Sequence, residues 1–262
     1  MKTDLRYPAP GTRYPRSVLA GRRIVVTGAS SGIGRALAVA YAGHGAEVYA
    51  VGRDAERLAA MARGTSRIHT VEADLTTATG RRAVATTIEH RSGAIDAAVH
   101  CAGLLGVPGV ALAAYPEAEW RAVLEINLTA VQLLHQQLAP ALDAGTSPVV
   151  IAISSTVGRM PRPGWGIYAV SKHALEGWVA LLAAEWPQGR VYSVNPGGTR
   201  TPMRATALPR EDPATIPAPE DITPLFLRLV HQAAPEPTGA VLEARDWTGR
   251  DPWEGIAPSA DA

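Results

Sequence analysis

The stretch from Arg23 to Gly34 limits the possible folds of this chain more than any other. Arg23-Ile-Val-Val-Thr27 is a β-branched apolar run that passes directly into Gly28-Ala-Ser-Ser-Gly32-Ile-Gly34, after which Leu37, Ala38, Ala40 and Tyr41 fall at helical spacing. A strand, a glycine turn and a helix in this order open a nucleotide-binding βαβ unit. The glycines let the backbone approach a pyrophosphate, and the free amides and dipole at the helix start favour its charge. Gly28, Ser30, Ser31, Gly32, Ile33 and Gly34 are the candidate residues of this cradle. The spacing is Gly-x3-Gly-x-Gly, not GxGxxG, and a plain strand-to-helix turn is the alternative for a glycine cluster taken alone.

Downstream, short apolar runs alternate with stretches of helical periodicity, the pattern of a parallel sheet covered by helices on both faces. Strands are expected at residues 23–27, 47–51, 67–71, 95–100, 149–154, 191–195 and 240–242, and helices at 32–43, 55–62, 76–90, 116–142, 165–186 and 218–231. The fold class is therefore α/β, a single-domain, Rossmann-type, doubly wound sheet of about seven strands. It is expected to span residues 21–249, between an N-terminal tail of 1–20 and a C-terminal tail of 250–262. Five prolines from Pro202 to Pro219 forbid a strand or long helix there and predict a long loop placed to act as a lid.

Composition removes several classes of function. With 25 Lys plus Arg against 24 Asp plus Glu, the 262-residue chain has no basic excess to recruit nucleic acid or an acidic membrane. One cysteine, Cys101, cannot form an internal disulfide, and no Cys/His spacing suggests a metal site. The Pro- and Arg-rich start has no apolar core for a signal peptide, and no run approaches the length of a membrane span, so a cytoplasmic protein is expected.

Five polar positions and the cysteine then stand out. Val51 is followed by Gly52-Arg53, where an arginine accommodates a ribose 2'-phosphate and an acid would accept from a 2'-hydroxyl; NADP(H) is favoured, with Asp54 as the competing acidic reading. Asn127 interrupts the apolar stripe of Trp120, Leu124, Val131, Leu134 and Leu138, and a buried amide there must find partners. Ser155 follows a strand. Thirteen residues on, Tyr168 and Lys172 share a helix face at i and i+4, and a cation beside a phenol is expected to ease its deprotonation. Cys101 reads either as a nucleophile or as a small buried thiol at a strand end, and the second is adopted.

The combination resembles the short-chain dehydrogenase/reductase family. The motifs that carry the resemblance are Thr27-Gly-Ala-Ser-Ser-Gly-Ile-Gly34, Ala73-Asp74-Leu75, Cys101-Ala-Gly103, Asn127, Ser155, Tyr168-x3-Lys172 and Asn195-Pro-Gly-Gly-Thr-Arg-Thr-Pro-Met203. Val157-Gly-Arg159, Gly164-Trp-Gly166 and the Asn195 motif look like the YciK-like bacterial oxidoreductases within it. Cys101 departs from the family's usual Asn, which would weaken a bond bracing the sheet. The resemblance implies hydride transfer between a nicotinamide cofactor and a small carbonyl or alcohol. Tyr168 would act as acid, Lys172 would hold the ribose and lower the phenol pKa, Ser155 would bind the substrate oxygen, and Asn127 would position a relay water. Asp74 and Leu75 would meet adenine. Ala102 and Gly103 would pass the ribose, and Pro196, Gly197, Thr199 and Thr201 would flank the nicotinamide. Leu104, Leu105, Met160, Trp165, Met203 and Leu208 would line the substrate pocket, with Arg159, Arg162, Arg200 and Arg204 in the same loops. A homodimer or homotetramer is also implied.

Overall fold

A computed structural model describes residues 17–256; residues 1–16 of the expected N-terminal tail and 257–262 of the C-terminal one lie outside the described residues. Seven parallel strands form one sheet in the order β3-β2-β1-β4-β5-β6-β7. They are β1 (Arg23–Thr27), β2 (Glu47–Gly52), β3 (Ile68–Glu72), β4 (Ala97–His100), β5 (Val149–Ile153), β6 (Arg190–Asn195) and β7 (Val241–Glu243). Each agrees with its expected segment to within two residues.

Helices α1 (Gly32–Gly43) and α2 (Ala55–Ala62) cover one face of the sheet together with α8 (Thr223–Leu229), burying Leu37, Tyr41, Leu58 and Phe226. The other face carries α3 (Ala78–Arg91), α5 (Ala130–Asp143) and α6 (Gly166–Glu185), which bury Val84, Ile88, Leu134, Leu138, Leu175 and Val179. This double cover explains why β1, β4 and β5 read as unbroken apolar runs instead of alternating ones. The first core reaches beyond residues 21–249: Leu19, Trp253 and Ile256 are all buried in it.

Strand order reverses between β1 and β4, so the connections leaving these two strands diverge to opposite faces and open a crevice at their carboxyl ends. Thr27 ties the crevice floor together. Its hydroxyl accepts from the amides of Cys101 (2.9 Å) and Ala102 (3.0 Å) just past β4.

Two expected elements differ in form. The continuous helix over 116–142 is instead α4 (Glu117–Leu124), a π turn at Glu125–Thr129, and α5. The lid segment is not simply a loop. It begins with α7 (Pro202–Ala207), because Pro202 occupies the first helical turn, where its missing N–H costs nothing, and Thr201 Oγ1 caps the Arg204 amide at 3.1 Å. The remaining prolines then confine the chain to 3-10 turns at Pro213–Thr215 and Pro219–Ile222.

Candidate active site

The glycine cradle has the shape the sequence implies. Gly28 has φ +66°, and a Cβ there would lie 2.9 Å from Ala102 Cα, so only glycine lets the β1 turn cross the end of β4. Gly32 has φ +51°, and a Cβ on Gly34 would collide with the Gly28 carbonyl, so the third glycine sets how closely α1 packs on the turn. Ser31 precedes α1 in extended conformation without capping it, and the first turn of α1 holds no acid. Its amides therefore remain available to an anion, which fits a dinucleotide pyrophosphate.

Beside the cradle, Gly52 lies against Ser30, with the position of a Gly52 Cβ 3.3 Å from Ser30 Oγ. Arg53 is exposed at the carboxyl end of β2, close enough for its charge to act on Asp74. The acidic competitor has other work: Asp54 Oδ1 caps α2 by accepting from the Arg57 amide at 2.9 Å, and its Oδ2 pairs with Arg57 Nε at 3.1 Å. Asp74 accepts from the Thr76 hydroxyl (2.7 Å) and amide (3.0 Å), which holds its carboxyl below the usual carboxylate range. Leu75 is buried beneath it.

Ser155, beyond β5, and Tyr168, on the first turn of α6, face one cavity of about 80 Å³, and the Ser155 hydroxyl lies close enough to draw on the phenol. Ile33, Leu105, Trp165, Pro196, Gly197, Thr199, Thr201 and Met203 also line it, so most of the expected nicotinamide and pocket residues come together. Leu104 does not line it, Met160 is exposed, and Leu208 faces an outer groove with Pro209, Arg210 and Glu211.

The expected easing of Tyr168 ionisation by Lys172 is opposed by burial. Burial pushes the phenol up to about 12, against the nearby Ser155 hydroxyl, which draws it down. The Lys172 Nζ lies 5.7 Å from the Tyr168 ring centroid and donates to the Ile153 carbonyl at 2.7 Å, while burial brings its own pKa down to about 8. Desolvation is the largest cause for both groups because both are more than nine-tenths buried.

Asn127 sits in the π turn. Its Oδ1 accepts from the Leu104 amide at 2.8 Å, and its Nδ2 donates to the Leu104 carbonyl (3.0 Å) and to Ser171 Oγ (2.9 Å). The side chain therefore braces the loop after β4 against α6, and does not bond Tyr168 or Lys172. Cys101 fits the inert reading, since burial holds its thiol up at about 12. Among the described residues, no cluster of His, Cys, Asp and Glu could hold a metal, and no helix is long and apolar enough to cross a membrane.

Sequence reasoning missed the polar web behind Ser155. Ser154 Oγ donates to Glu176, which lies 3.6 Å from Arg159; Arg159 also pairs with Glu243 at 2.6 Å, and Glu243 accepts from Asn195 Nδ2 at 2.7 Å. Glu176 lies one helical turn beyond Lys172 on the face of Tyr168, and that i+4 continuation was the available signal. Arg204, on α7, reaches the same cavity and grips Glu211.

Residues 22–212 match the short chain dehydrogenase family. The chain is 39% identical over 245 residues to the uncharacterized oxidoreductase YciK of Escherichia coli K12, covering 90% of this chain and 96% of that protein. Among solved structures, a short chain dehydrogenase from Shigella flexneri 2a complexed with NADP superposes with a TM-score of 0.84 at 38% identity, covering 88% of this chain and all of that one. One from E. coli CFT073 complexed with NADPH also gives 0.84, at 37% identity and the same coverage. Sequence match, sheet order and crevice agree that this chain belongs to the short chain dehydrogenase family of oxidoreductases.

Proposed function

We propose that the protein is an NADP(H)-dependent oxidoreductase that interconverts a small carbonyl compound and its alcohol through Tyr168, Ser155, Lys172 and Asn127. The observation that carries this reading is the Ser155–Tyr168 pair facing a cavity whose other wall is the Pro196–Met203 segment. When bound, the nicotinamide supplies or accepts the hydride. In reduction, Tyr168 releases its proton to the carbonyl oxygen as that oxygen becomes a hydroxyl, and Ser155 donates a hydrogen bond to the same oxygen. A phenol with a pKa near 12 is fully protonated at neutral pH, which suits an acid. Lys172, fixed to Ile153, would hold the cofactor ribose, and Asn127 holds the loop after β4.

The preference for the phosphorylated dinucleotide rests on exposed Arg53, on Gly52 leaving room beside Ser30, and on Asp54 being occupied as a helix cap. Neighbours crystallised with NADP and NADPH support it. The NAD-dependent alternative depended on Asp54.

The test is NADPH oxidation by the purified protein over a panel of ketones and aldehydes, with Tyr168→Phe as control. A positioned general acid contributes about 10²- to 10⁴-fold, so the variant should lose that factor in kcat while binding NADPH as the parent does. NADPH binding with no turnover of any carbonyl or alcohol would instead mark a cofactor-binding sensor.

A further inference from the structure

The expected pocket arginines do not have equivalent surroundings. Arg162 and Arg200 are exposed, and Arg159 belongs to the web behind Ser155. Arg204 alone reaches the cavity that holds Tyr168 and Ser155, and its charge acts on the Tyr168 phenol. The guanidinium lies on Gly198, where a Cβ would sit 2.9 Å from its Nη2. Its other edge is filled by Glu211, with Nε to Oε2 and Nη2 to Oε1 both at 2.6 Å.

That two-bond fork is the geometry in which an arginine recognises a planar carboxylate. Its occupant comes from the lid itself. Glu211 follows exposed Leu208, Pro209 and Arg210, so rotation within this outer strand of chain can withdraw its carboxylate without disturbing the sheet. Arg245, which donates to the Gly198 carbonyl, also acts on Glu211, so two cations share one carboxylate, held on the outer-groove side of Arg204. Ile33, Leu105, Trp165, Met203 and Ala207 form the apolar part of the lining, beside the hydroxyls of Ser154, Thr199 and Thr201. An arginine is costly against such a wall unless an anion meets it.

We infer that Arg204 is the substrate-recognition residue, that the substrate is a short carbonyl compound bearing a carboxylate, and that Glu211 occupies the carboxylate seat until the substrate displaces it. This rests on the proposed oxidoreductase reading. A free carboxylate takes over both hydrogen bonds, and the released Glu211 returns to water, so the exchange conserves bonds to Arg204. A neutral carbonyl compound must enter with Glu211 still in place or leave Arg204 unmatched.

The experiment compares 4-oxopentanoate, its methyl ester and 3-oxobutyl phosphate as substrates for the parent, Arg204→Gln and Glu211→Gln. NADPH affinity is measured in parallel, and pentanoate is titrated calorimetrically into each protein with NADP bound. The parent should favour 4-oxopentanoate over the ester by about tenfold or more in kcat/KM, the scale of a charge-assisted pair. Glu211→Gln should lower KM for the acid several-fold and tighten pentanoate, because the internal competitor is gone. Arg204→Gln should abolish pentanoate binding and reduce the acid-to-ester ratio to near one. Equal use of acid and ester by the parent overturns the inference, and so does a preference for the phosphate over the carboxylate. An Arg204→Gln effect confined to NADPH affinity also overturns it, since the anion met would then be the cofactor's own. Pentanoate held through Arg204 without reduction of any carbonyl supports the carboxylate seat and overturns only the oxidoreductase reading.

Discussion

Asn127 and Leu104 bond each other twice: the side-chain oxygen accepts from the backbone amide at 2.8 Å, and the side-chain nitrogen donates to the backbone carbonyl at 3.0 Å. One amide side chain thus does for the loop after β4 what a neighbouring strand does inside the sheet, and its third bond, to Ser171, anchors the arrangement on α6. The π turn at Glu125–Thr129 accompanies this bond set. Asn127→Leu keeps the volume but leaves Leu104 N–H and C=O without their partner. At about 1–3 kcal/mol for a buried group left unpaired, the total cost should be roughly 2–4 kcal/mol. Urea unfolding measures it, and a loss under about 0.5 kcal/mol would remove the brace.

The pH behaviour should follow Lys172. Its folded-state pKa is brought from 10.5 down to about 8 by burial, while Tyr168 stays protonated to about 12. Carbonyl reduction should therefore be level through neutrality and fall above about pH 8, as Lys172 loses the charge that orients the ribose and not as Tyr168 loses its proton. In stability the sign is opposite. Between about 8 and 10.5 the unfolded chain holds a proton that the folded chain has released, so this group makes the fold more stable as pH rises through that window. Lys172→Met removes the dependence. Its stability advantage over the parent, on the order of 3 kcal/mol at pH 7, should shrink toward pH 10.5, and parallel parent and variant curves would refute the assignment.

Much of this architecture could be read from the chain because it depends on local order. The strand, turn and helix of Arg23–Gly43 need only glycines at the right places, and a doubly covered parallel sheet leaves strands uniformly apolar. Tyr168 and Lys172 were found by helical spacing. What escaped depends on distant partners. The break at Asn127 is linked to a backbone 23 residues earlier, and the ionisation of Tyr168 to how deeply α6 is covered. Neither leaves a periodic trace. The fate of Arg159 and Arg204 was equally hidden, since Glu243 and Glu211 approach them only once β7 and the turn after α7 are in place.

Cofactor choice should be decided by Arg53. With Asp54 committed to the α2 cap and Gly52 open beside Ser30, the exposed guanidinium is the charge positioned for a 2'-phosphate. A charge-assisted contact of about 1.5–3 kcal/mol corresponds to roughly ten- to a hundredfold tighter binding of NADPH than of NADH. Arg53→Ala should remove most of that ratio by weakening NADPH alone. Fluorescence titration of both cofactors is the check, and equal parent affinities would exclude the role.

Arg159 should behave as a strut and not as a substrate receptor. It joins Glu176, on the Tyr168 and Lys172 face of α6, to Glu243 of β7, and through Asn195 the same web reaches Thr156 Oγ1 at 2.9 Å and the Gly197 amide at 3.0 Å. The Ser155 segment and the Pro196–Gly197 wall of the cavity are thereby held in one frame. Because Arg159 and Glu243 are about one-third exposed or more, water screens the pair, and Arg159→Ala should cost no more than about 1 kcal/mol in stability. Its kinetic effect should be a several-fold fall in kcat from loosened positioning of Ser155, of equal size for charged and uncharged carbonyls. Steady-state kinetics with 4-oxopentanoate and its methyl ester separates the two roles: a loss restricted to the acid would make Arg159 an anion receptor, whereas an equal loss leaves that task to Arg204.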